Sequence, residues 1–338
     1  MWDSLADTPA LKYEYLLAAS KLGGFRYLLL LDTDGSALAI ACLCFIKTPL
    51  DIFKPNSFIK WVRSFYPNFL MLTVLECGLP ATSGCGFAIK PGADRWEVLK
   101  KIDDAITRES SILVLRDFLK KDEDLERLGY EQIPNLEETE IHIRWNSFDK
   151  YLASLRSGYR QSITKDLKKL QCVRIEHTNN FLNYTEQMLS LWKQTNCKAF
   201  EYDREMLNEE YFKGLENIAL ATLFWLDDKL VAFFISLSDA STLYPLWVGI
   251  DYEVNNKIPL VFGAYYETVK LAISLKKTKL VLGETTYEPK VRIGAQIVPL
   301  YMYLKIPKWK MLTKVLAFIA RCATPCHLHM QRFVFKNN

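Results

Sequence analysis

The sequence predicts an α/β protein with two domains, and three observations lead to that prediction. A strand, helix, strand unit lies between residues 246 and 306, where an apolar helical stripe starting near Pro259 separates two short apolar runs. Two similar apolar hairpins have their turns at residues 32–35 and 227–229, which suggests two copies of one domain. The length of 338 residues, with 50% hydrophobic and 24% charged residues, suits two ordinary globular domains.

Short-range patterns define the elements of an N-terminal domain, which we expect to occupy residues 1–146. Gly23 and Gly24 end the first helix, and Asp34-Gly35 forms the hairpin turn. Strict polar and apolar alternation marks the last strand of this domain. The predicted elements are a helix over residues 8–22, hairpin strands over 27–31 and 38–45, a strand over 69–74, a helix over 94–109, and strands over 111–116 and 139–145.

A C-terminal domain is expected over residues 147–306, and its first helix, over 147–170, is strongly basic. Apolar residues recur at helical spacing on one side of this helix. The other faces carry Arg156, Arg160, Lys165, Lys168 and Lys169. Such a surface is either solvated or lines a groove for a phosphorylated ligand, with Arg160 binding phosphate in the second case. The remaining predicted elements are a strand over 172–177, a helix over 180–195, hairpin strands over 221–226 and 230–237, the parallel strand, helix, strand unit, a loop over 283–296 and a strand over 297–306.

The basic charge is concentrated in a C-terminal tail, expected over residues 307–338. From Lys305 to Asn338 there are seven Lys or Arg residues and no Asp or Glu, so although the formal net charge is +4, the rest carries 36 basic against 39 acidic residues. The pattern predicts an amphipathic helix that either packs on the body or contacts a partner, such as an acyl carrier protein or an anionic membrane surface. Because no nucleic-acid-binding motif accompanies the charge, we expect no binding to duplex nucleic acid.

Compartment and cysteine usage point to an intracellular, metal-free protein. The first residues lack the pattern of a signal peptide, and the apolar windows are too short to span a membrane, so we expect a cytoplasmic protein or one peripheral to the inner membrane. The eight cysteines are expected to be reduced and mostly buried. Cys85, between two glycines, is either a nucleophile or part of a turn, and the turn is favoured because no histidine stands near it in the sequence. Residues 322–329 hold two cysteines and two histidines but no second ligand pair at finger spacing, so we predict no metal site.

The densest group of chemically active side chains lies in the predicted loop over residues 283–296. This loop contains Glu284, Tyr287, Lys290 and Arg292 between two probable strands. A set of this kind suits proton transfer and anion binding, but it also suits a salt-bridged loop that simply pins two strands together.

Several motifs occur in an order that resembles the acyl-CoA N-acyltransferase (GNAT) superfamily, in particular its FemAB-like branch with short bacterial members. They are Trp2-Asp3-Ser4-Leu5, the Asp-x-Asp-Gly hairpin, the basic helix with Tyr159-Arg160, the Trp-Leu-Asp-Asp-Lys-Leu-Val-Ala hairpin and the final Tyr287-x-Pro-Lys-x-Arg-x-Gly-Ala loop. The resemblance covers most of the chain. It implies two tandem GNAT-like domains, each a twisted mixed sheet flanked by helices.

The resemblance also implies an acyltransferase that moves an acyl or aminoacyl group from an activated donor, such as an acyl-CoA or another acyl thioester, to a small-molecule amine. In that reaction Glu284 would deprotonate or orient the amine, and Tyr287 would hydrogen-bond the carbonyl or the leaving sulfur. Lys290 and Arg292 would bind phosphate. The chain lacks a clear phosphate loop for CoA, which leaves a carrier protein or an aminoacyl-tRNA as other donors. The alternative is a non-catalytic module of the same fold that binds a phosphorylated metabolite or cell-wall precursor.

Overall fold

The computed structural model describes residues 1–49, 57–80, 82–198 and 206–336 as a mixed arrangement of strands and helices. The strands are β1 (Phe25–Leu31), β2 (Ala37–Pro49), β3 (Met71–Cys77), β4 (Phe87–Ile89), β5 (Leu113–Phe118), β6 (Glu131–Pro134), β7 (Glu138–His142), β8 (Arg174–Thr178), β9 (Leu220–Leu226), β10 (Lys229–Ser238), β11 (Thr242–Ile250), β12 (Lys279–Gly283), β13 (Gln296–Val298) and β14 (Tyr301–Lys305). The α-helices are α1 (Tyr13–Ala19), α2 (Ser57–Phe65), α3 (Arg95–Thr107), α4 (Glu123–Arg127), α5 (Phe148–Ser154), α6 (Ser157–Lys169), α7 (Thr185–Lys198), α8 (Glu209–Gly214), α9 (Tyr252–Asn255), α10 (Leu260–Ser274), α11 (Tyr287–Arg292) and α12 (Lys310–Ala323).

The chain forms two compact units, each built on one seven-stranded mixed sheet with helices packed on it. Unit 1 consists of Met1–Tyr13, Gly23–Leu136 and Pro299–Cys326. Unit 2 consists of Glu14–Leu22, Glu137–Val298 and the segment from His327 onward. The predicted α/β class with two twisted mixed sheets is confirmed.

The two units are interleaved along the chain, which differs from the contiguous division at residues 146 and 306 that the sequence suggested. Residues 299–306, expected in the C-terminal domain, belong to unit 1, and so does α12 from the expected separate tail. The predicted single strand over 297–306 is in fact two, because β13 pairs with β7 in one sheet and β14 pairs with β5 and β6 in the other. Pro299, which has no amide hydrogen to donate to a ladder, stands between them.

In unit 1 the sheet order is β1-β2-β3-β5-β14-β6, with β4 also paired to β2. The predicted hairpin is confirmed as the antiparallel pair β1 and β2, whereas β3 and β5 run parallel. Asp94 caps the N-terminus of helix α3, because its carboxylate accepts from the amides of Trp96 and Glu97. Its apolar face, formed by Val98, Leu99, Ile102 and Ile106, joins the core of the sheet.

A buried polar cluster fixes β14 to the rest of unit 1. The Lys305 ammonium lies 2.6 Å from the Asp103 carboxylate of α3, and the Tyr130 hydroxyl donates to the same carboxylate at 2.8 Å. Because Asp103 and Lys305 are almost fully covered, each depends on the other for compensation of its charge. This pair gives a physical reason why a strand from the end of the chain completes the N-terminal sheet.

In unit 2 the sheet order is β13-β7-β12-β11-β10-β9-β8, and the predicted parallel pairing is confirmed between β11 and β12. One face is covered by α10 and α6 with a continuous apolar cluster. On the other face α7 approaches so closely that a Cβ at Gly249 would lie 2.8 Å from the backbone nitrogen of Trp192. The sheet is therefore buried on both sides near its centre.

Two local predictions in unit 2 need correction. The helix expected over residues 147–170 is broken into α5 and α6, because Leu155 takes an extended conformation and bridges to Phe335. The segment expected as a loop over 283–296 contains the short helix α11. Pro289 falls in its first turn, where the missing amide hydrogen costs no helical hydrogen bond.

The exposure of the cysteines differs from the prediction. All eight cysteines are free, but Cys172, Cys197, Cys322 and Cys326 are exposed, so the expectation that most are buried is wrong. These four cysteines lie at exposed ends of helices and loops, and the apolar residues around them in the sequence did not indicate that exposure.

In the described part of the chain, no helix combines the length and the apolar character needed to cross a bilayer.

We predict that Lys305→Met lowers the free energy of unfolding by about 3 kcal/mol, because it leaves the Asp103 carboxylate buried without its countercharge. Asp103→Leu should cost a similar amount. The double variant should cost clearly less than the sum of the two single losses, measured by urea unfolding. Simple additivity of the two losses would show that the pair does not anchor β14.

Candidate functional site

The parallel strands β11 and β12 are paired only where they begin. Thr242 lies opposite Lys279 and Leu243 opposite Leu280. In the described chain these are the two residue pairs that join the strands. Strand β11 nevertheless continues to Ile250, held on its other side by β10. The two strands therefore diverge toward their carboxyl ends, and β11 presents an open edge whose residues from Tyr244 to Val248 are half-buried. An open strand edge offers backbone donors and acceptors to an extended ligand.

A β-bulge lies on β11 just beyond the last pair with β12. Ile235 of β10 lies opposite Trp247 and Ser236 opposite Pro245, so Leu246 is the extra residue. Ser236 is buried, and its hydroxyl has no hydrogen-bond partner among the described residues. A buried hydroxyl without a partner costs free energy at this position. Bulges of this kind bend a strand and often lie beside binding sites.

The turn that leaves β12 has a strained backbone. Gly283, Thr285 and Thr286 all have left-handed conformations, with φ values of 71°, 61° and 48°. Glycine adopts this region freely, but the branched threonine side chain does so only at a cost. Such strain persists only when neighbouring contacts hold the turn in place.

Lys290 of α11 supplies those contacts. Its Nζ donates to the carbonyl oxygens of Glu284 at 2.7 Å and Gly283 at 3.1 Å, and the Thr139 hydroxyl also donates to Gly283 at 2.6 Å. The side chain is 4% exposed. Burial lowers the pKa of Lys290 to about 7, although the carboxylates of Glu284 and Glu138 act in the opposite direction. Burial therefore makes the charged form of this amine less favourable than it is for an exposed lysine.

Two carboxylates and a phenol share the electrostatic environment of Lys290. Glu138 of β7 is buried, and Glu284 is half-buried. Glu138 also acts on Tyr244 of β11, whose pKa is raised to about 12 by burial, by its hydrogen bond to Asp239 and by nearby carboxylates. The Glu138 carboxylate of β7 therefore acts electrostatically on one group of α11 and one group of β11.

Tyr287 is buried beside this cluster and is fully engaged. Its hydroxyl donates to the carbonyl oxygen of Glu137 at 2.9 Å, and its ring stacks on His327 with 4.2 Å between ring centroids. Burial and the Glu137 carboxylate raise the pKa of Tyr287, so the phenol stays protonated. The structure therefore brings Glu284, Tyr287 and Lys290 together, as the sequence suggested, while their roles remain predictions.

The two predicted arginines lie on other surfaces of unit 2. The Arg292 guanidinium lies 5.0 Å from the centroid of the Phe262 ring and 3.8 Å from the Glu288 carboxylate. Arg160 lies on α6 beside a shallow concavity of about 350 Å³. The described residues that line it with Arg160 all come from α6, and they are Gln161, Thr164, Lys165 and Lys168. None of the described contacts of Arg160 reaches the turn after β12, so a joint phosphate site of Arg160 and Lys290 stays a prediction.

Sequence reasoning missed the bulged edge of β11, Glu138, and the contribution of the C-terminal segment. Pro245 inside an otherwise apolar strand was the available signal for the edge, because proline is rare in a fully paired central strand. Glu138 and His327 gave no comparable signal, since their neighbours come from distant parts of the chain.

Cys85 lies in unit 1, and burial raises its pKa to about 12, which keeps the thiol protonated and disfavours the nucleophile interpretation.

The C-terminal segment, residues 327–336, holds α11 and β13 from outside. Both oxygens of the Glu137 carboxylate accept from His327, one from the backbone amide at 2.8 Å and one from Nδ1 at 2.9 Å. The Gln331 side chain pairs with the backbone of Ile297 and Ala295. At Gly294, where φ is +93°, an added Cβ would lie 2.3 Å from the Phe335 ring. The segment thus holds α11, the helix that carries Lys290, in position.

We predict that Gly294→Ala destabilises unit 2 more than Gly283→Ala does. Both substitutions place alanine in a left-handed conformation at a cost of about 1 kcal/mol, but nothing lies within 4 Å of a Cβ at Gly283. Displacing Phe335, which packs against Trp145 and Tyr151, should add about 2 kcal/mol for Gly294→Ala. Urea unfolding measures the difference, and hydrogen exchange should increase selectively in residues 327–336. Equal losses in the two variants would contradict the proposed packing.

Comparison with known proteins places these features in a recognisable fold. No protein-family model matches the chain. Two curated relatives, both named putative 8-amino-7-oxononanoate synthase 2 and found in Mycobacterium tuberculosis strains CDC 1551 / Oshkosh and ATCC 25618 / H37Rv, are each 25% identical over 295 residues. These matches cover 80% of this chain but only 38% of the relatives' length, so the chain spans well under half of them.

Solved structures resemble the chain over nearly its whole length. FemX has 13% sequence identity and a TM-score of 0.56, with 88% of this chain and 93% of FemX covered. The C-terminal domain of a putative lysylphosphatidylglycerol synthetase from Agrobacterium fabrum has 10% identity and a TM-score of 0.57, with 93% and 92% covered. L-PGS from Bacillus licheniformis has 11% identity and a TM-score of 0.54, with 91% and 92% covered. The chain therefore shares its fold with FemX and these two structures, as the FemAB-like resemblance of its ordered motifs led us to expect.

Proposed function

We propose that the protein is a transferase that moves an acyl or aminoacyl group from an activated donor to an amine. The observation that carries the proposal is the buried amine of Lys290, which donates to the turn at the end of β12, the strand that diverges from β11, and whose pKa burial lowers to about 7. A base poised near neutral pH is what amine acylation needs, because the attacking nitrogen must lose a proton. The ordered motifs that resemble FemAB-like acyltransferases, together with the likeness in fold to FemX, support the transferase class.

The geometry around Lys290 suits the base role. A neutral lysine amine has two N–H donors and one lone pair, and two donors are already used by the carbonyls of Gly283 and Glu284. Its lone pair is then left to accept a proton. Arg292 and Arg160, which keep part of their surface exposed, are better placed than Lys290 to bind phosphate from solvent.

The proposed reaction forms one bond and breaks another. The acceptor nitrogen attacks the donor carbonyl and forms a C–N bond, while its proton passes to the Lys290 amine. Collapse of the tetrahedral intermediate breaks the C–S or C–O bond, and the leaving group takes up the proton from Lys290. Glu284 would orient the incoming amine by accepting a hydrogen bond, and backbone amides on the open edge of β11 would stabilise the oxyanion.

The donor we favour is an acyl thioester on an extended amide-containing arm, because such an arm would add to the edge of β11 as a strand does. This chemistry is shared by acyl-CoA and acyl carrier protein. The start of α10 is a poor cradle for a diphosphate, since the Asn255 side chain already accepts from the amide of Val261. An aminoacyl ester is retained as a donor because one protein of similar fold is named for a lysylphosphatidylglycerol product.

A second candidate is a non-catalytic module that uses the same edge to bind a phosphorylated metabolite or cell-wall precursor. The observation in its favour is that the polar atoms of Tyr287 and Lys290 are bonded to backbone carbonyls, as a purely structural turn would require. This candidate predicts saturable binding without acyl transfer to any amine.

We predict that transfer from acyl-CoA, acyl carrier protein or an aminoacyl ester to a panel of small amines rises with pH through about 7 and levels off above it. Lys290→Met should lower kcat by about 100-fold and abolish that rise, because the base is lost. Tyr287→Phe should have a smaller effect, since its hydroxyl is engaged with a carbonyl. Release of free thiol or alcohol and mass spectrometry of the amide product measure the reaction.

Lys193→Met serves as the matched control, because Lys193 is exposed on α7 of the same unit. Melting temperatures of each variant separate unfolding from loss of chemistry. Unchanged turnover in Lys290→Met with a normal melting temperature would contradict the base assignment. Binding of a thioester without turnover of any amine by the wild type would favour the non-catalytic candidate.

A further inference from the structure

Helix α12 of unit 1 turns most of its large apolar residues away from the protein. On the side that faces the sheet, Thr313 and Ala317 are buried, and Leu316 and Ala320 pack against the cluster around β6 and β14. The opposite face carries large apolar residues that are exposed to solvent, and Met311 and Phe318 are 82% and 65% exposed. The full outward set, which we call the α12 face, is Trp309, Met311, Leu312, Val315, Phe318 and Ile319.

This orientation is the reverse of the usual arrangement for a helix on a globular domain. A helix that only packs on its own domain places its large apolar residues inward and its charges outward. Here Lys308, Lys310 and Lys314 are exposed beside an exposed apolar surface. Arg321, by contrast, is bonded to the Gln132 carbonyl and the Glu131 carboxylate, so it fixes the helix to β6.

A second exposed apolar surface in unit 1 has the same character. Helix α2 has no buried residue, and Phe58, Trp61 and Phe65 form an aromatic stripe along it. Their rings contact one another, with Trp61 lying 6.0 Å from Phe58 and 5.3 Å from Phe65 between centroids. Lys60 and Arg63 are the charged residues between 57 and 70, where no Asp or Glu occurs. More than half of the large hydrophobic residues exposed in the described chain lie within 58–70 or 309–319.

We propose that unit 1 docks on an anionic lipid bilayer through the α12 face and the α2 stripe. Aromatic and aliphatic side chains would enter the boundary between headgroups and acyl chains, and the neighbouring lysines would pair with anionic headgroups. Tryptophan at the start of α12 and in the middle of α2 suits this boundary. The exposed lysines favour an anionic membrane over a second copy of this chain as the binding partner. Two copies of this face would bring like charges together, whereas an anionic membrane complements the lysines.

The test is co-sedimentation of the full chain with vesicles of phosphatidylcholine alone and of equal parts phosphatidylcholine and phosphatidylglycerol. We expect binding to the mixed vesicles that weakens with added salt, and little binding to phosphatidylcholine. Phe318→Gln with Met311→Gln, and separately Trp61→Gln with Phe65→Gln, should each reduce the partition coefficient by about tenfold, because exposed apolar surface no longer enters the membrane. Lys308→Gln with Lys310→Gln and Lys314→Gln should remove the preference for phosphatidylglycerol.

Leu119→Gln is the matched control, because Leu119 is 57% exposed in unit 1 but lies outside both surfaces. All substituted residues are exposed, so the variants should melt like the wild type. The proposal is overturned if the wild type does not bind the mixed vesicles, if the helix variants bind as the wild type does, or if Leu119→Gln loses as much. It is also overturned if sedimentation velocity without lipid shows a dimer that Phe318→Gln dissociates, since the face would then be an interface between two copies.

Discussion

The buried side chain of Lys290 is the constraint on which the candidate site depends. It donates to the carbonyls of Gly283 and Glu284 and so holds a turn that contains two threonines in left-handed conformations. Each of those threonines costs about 1–2 kcal/mol, so the turn would relax without its support. A pKa lowered from 10.5 to about 7 corresponds to about 5 kcal/mol of lost preference for the charged form. Because the unfolded chain still binds this proton near neutral pH, most of the cost is a loss of folding stability there, and it disappears only as the pH rises toward 10.5.

The turn held by Lys290 lies where several strands of the unit 2 sheet end or diverge. Strand β12 ends at the turn, β11 diverges from β12 a few residues earlier, and Glu138 of β7 influences both Lys290 and Tyr244. The turn after β12 therefore carries a titratable amine under the influence of two carboxylates, at the end of the strand from which β11 diverges. The C-terminal segment completes the support, because Glu137, Ile297 and Gly294 all contact it.

Much of this architecture was predictable from local patterns. Turn signals and alternation identified both hairpins, and helical spacing identified α3 and α10. The parallel pair followed from the intervening helix. The sequence also singled out Glu284, Tyr287 and Lys290 as neighbours, because all three lie within one turn and the helix after it. What it could not supply was the direction in which each polar atom points: a loop lysine in a sequence is as easily exposed as buried.

The remaining differences come from long-range contacts that leave no local trace. Helix 147–170 is interrupted because Leu155 bridges to Phe335, far away in the chain. The apolar run at 297–306 contains two strands because β14 is held by Asp103 of the N-terminal sheet. The basic helix near the end was foreseen, but its outward apolar face was not, since periodicity gives the faces of a helix and not which face meets the protein.

The most direct test of this account is an NMR titration of the lysine side chains, with isotope-labelled lysine and Lys290→Met to assign the resonance. We expect one lysine, absent from the spectrum of Lys290→Met, to titrate with a midpoint near 7, because burial disfavours its charged form. A midpoint for Lys290 close to 10.5 would contradict the account, since the side chain would then stay charged at neutral pH and could not act as a base there.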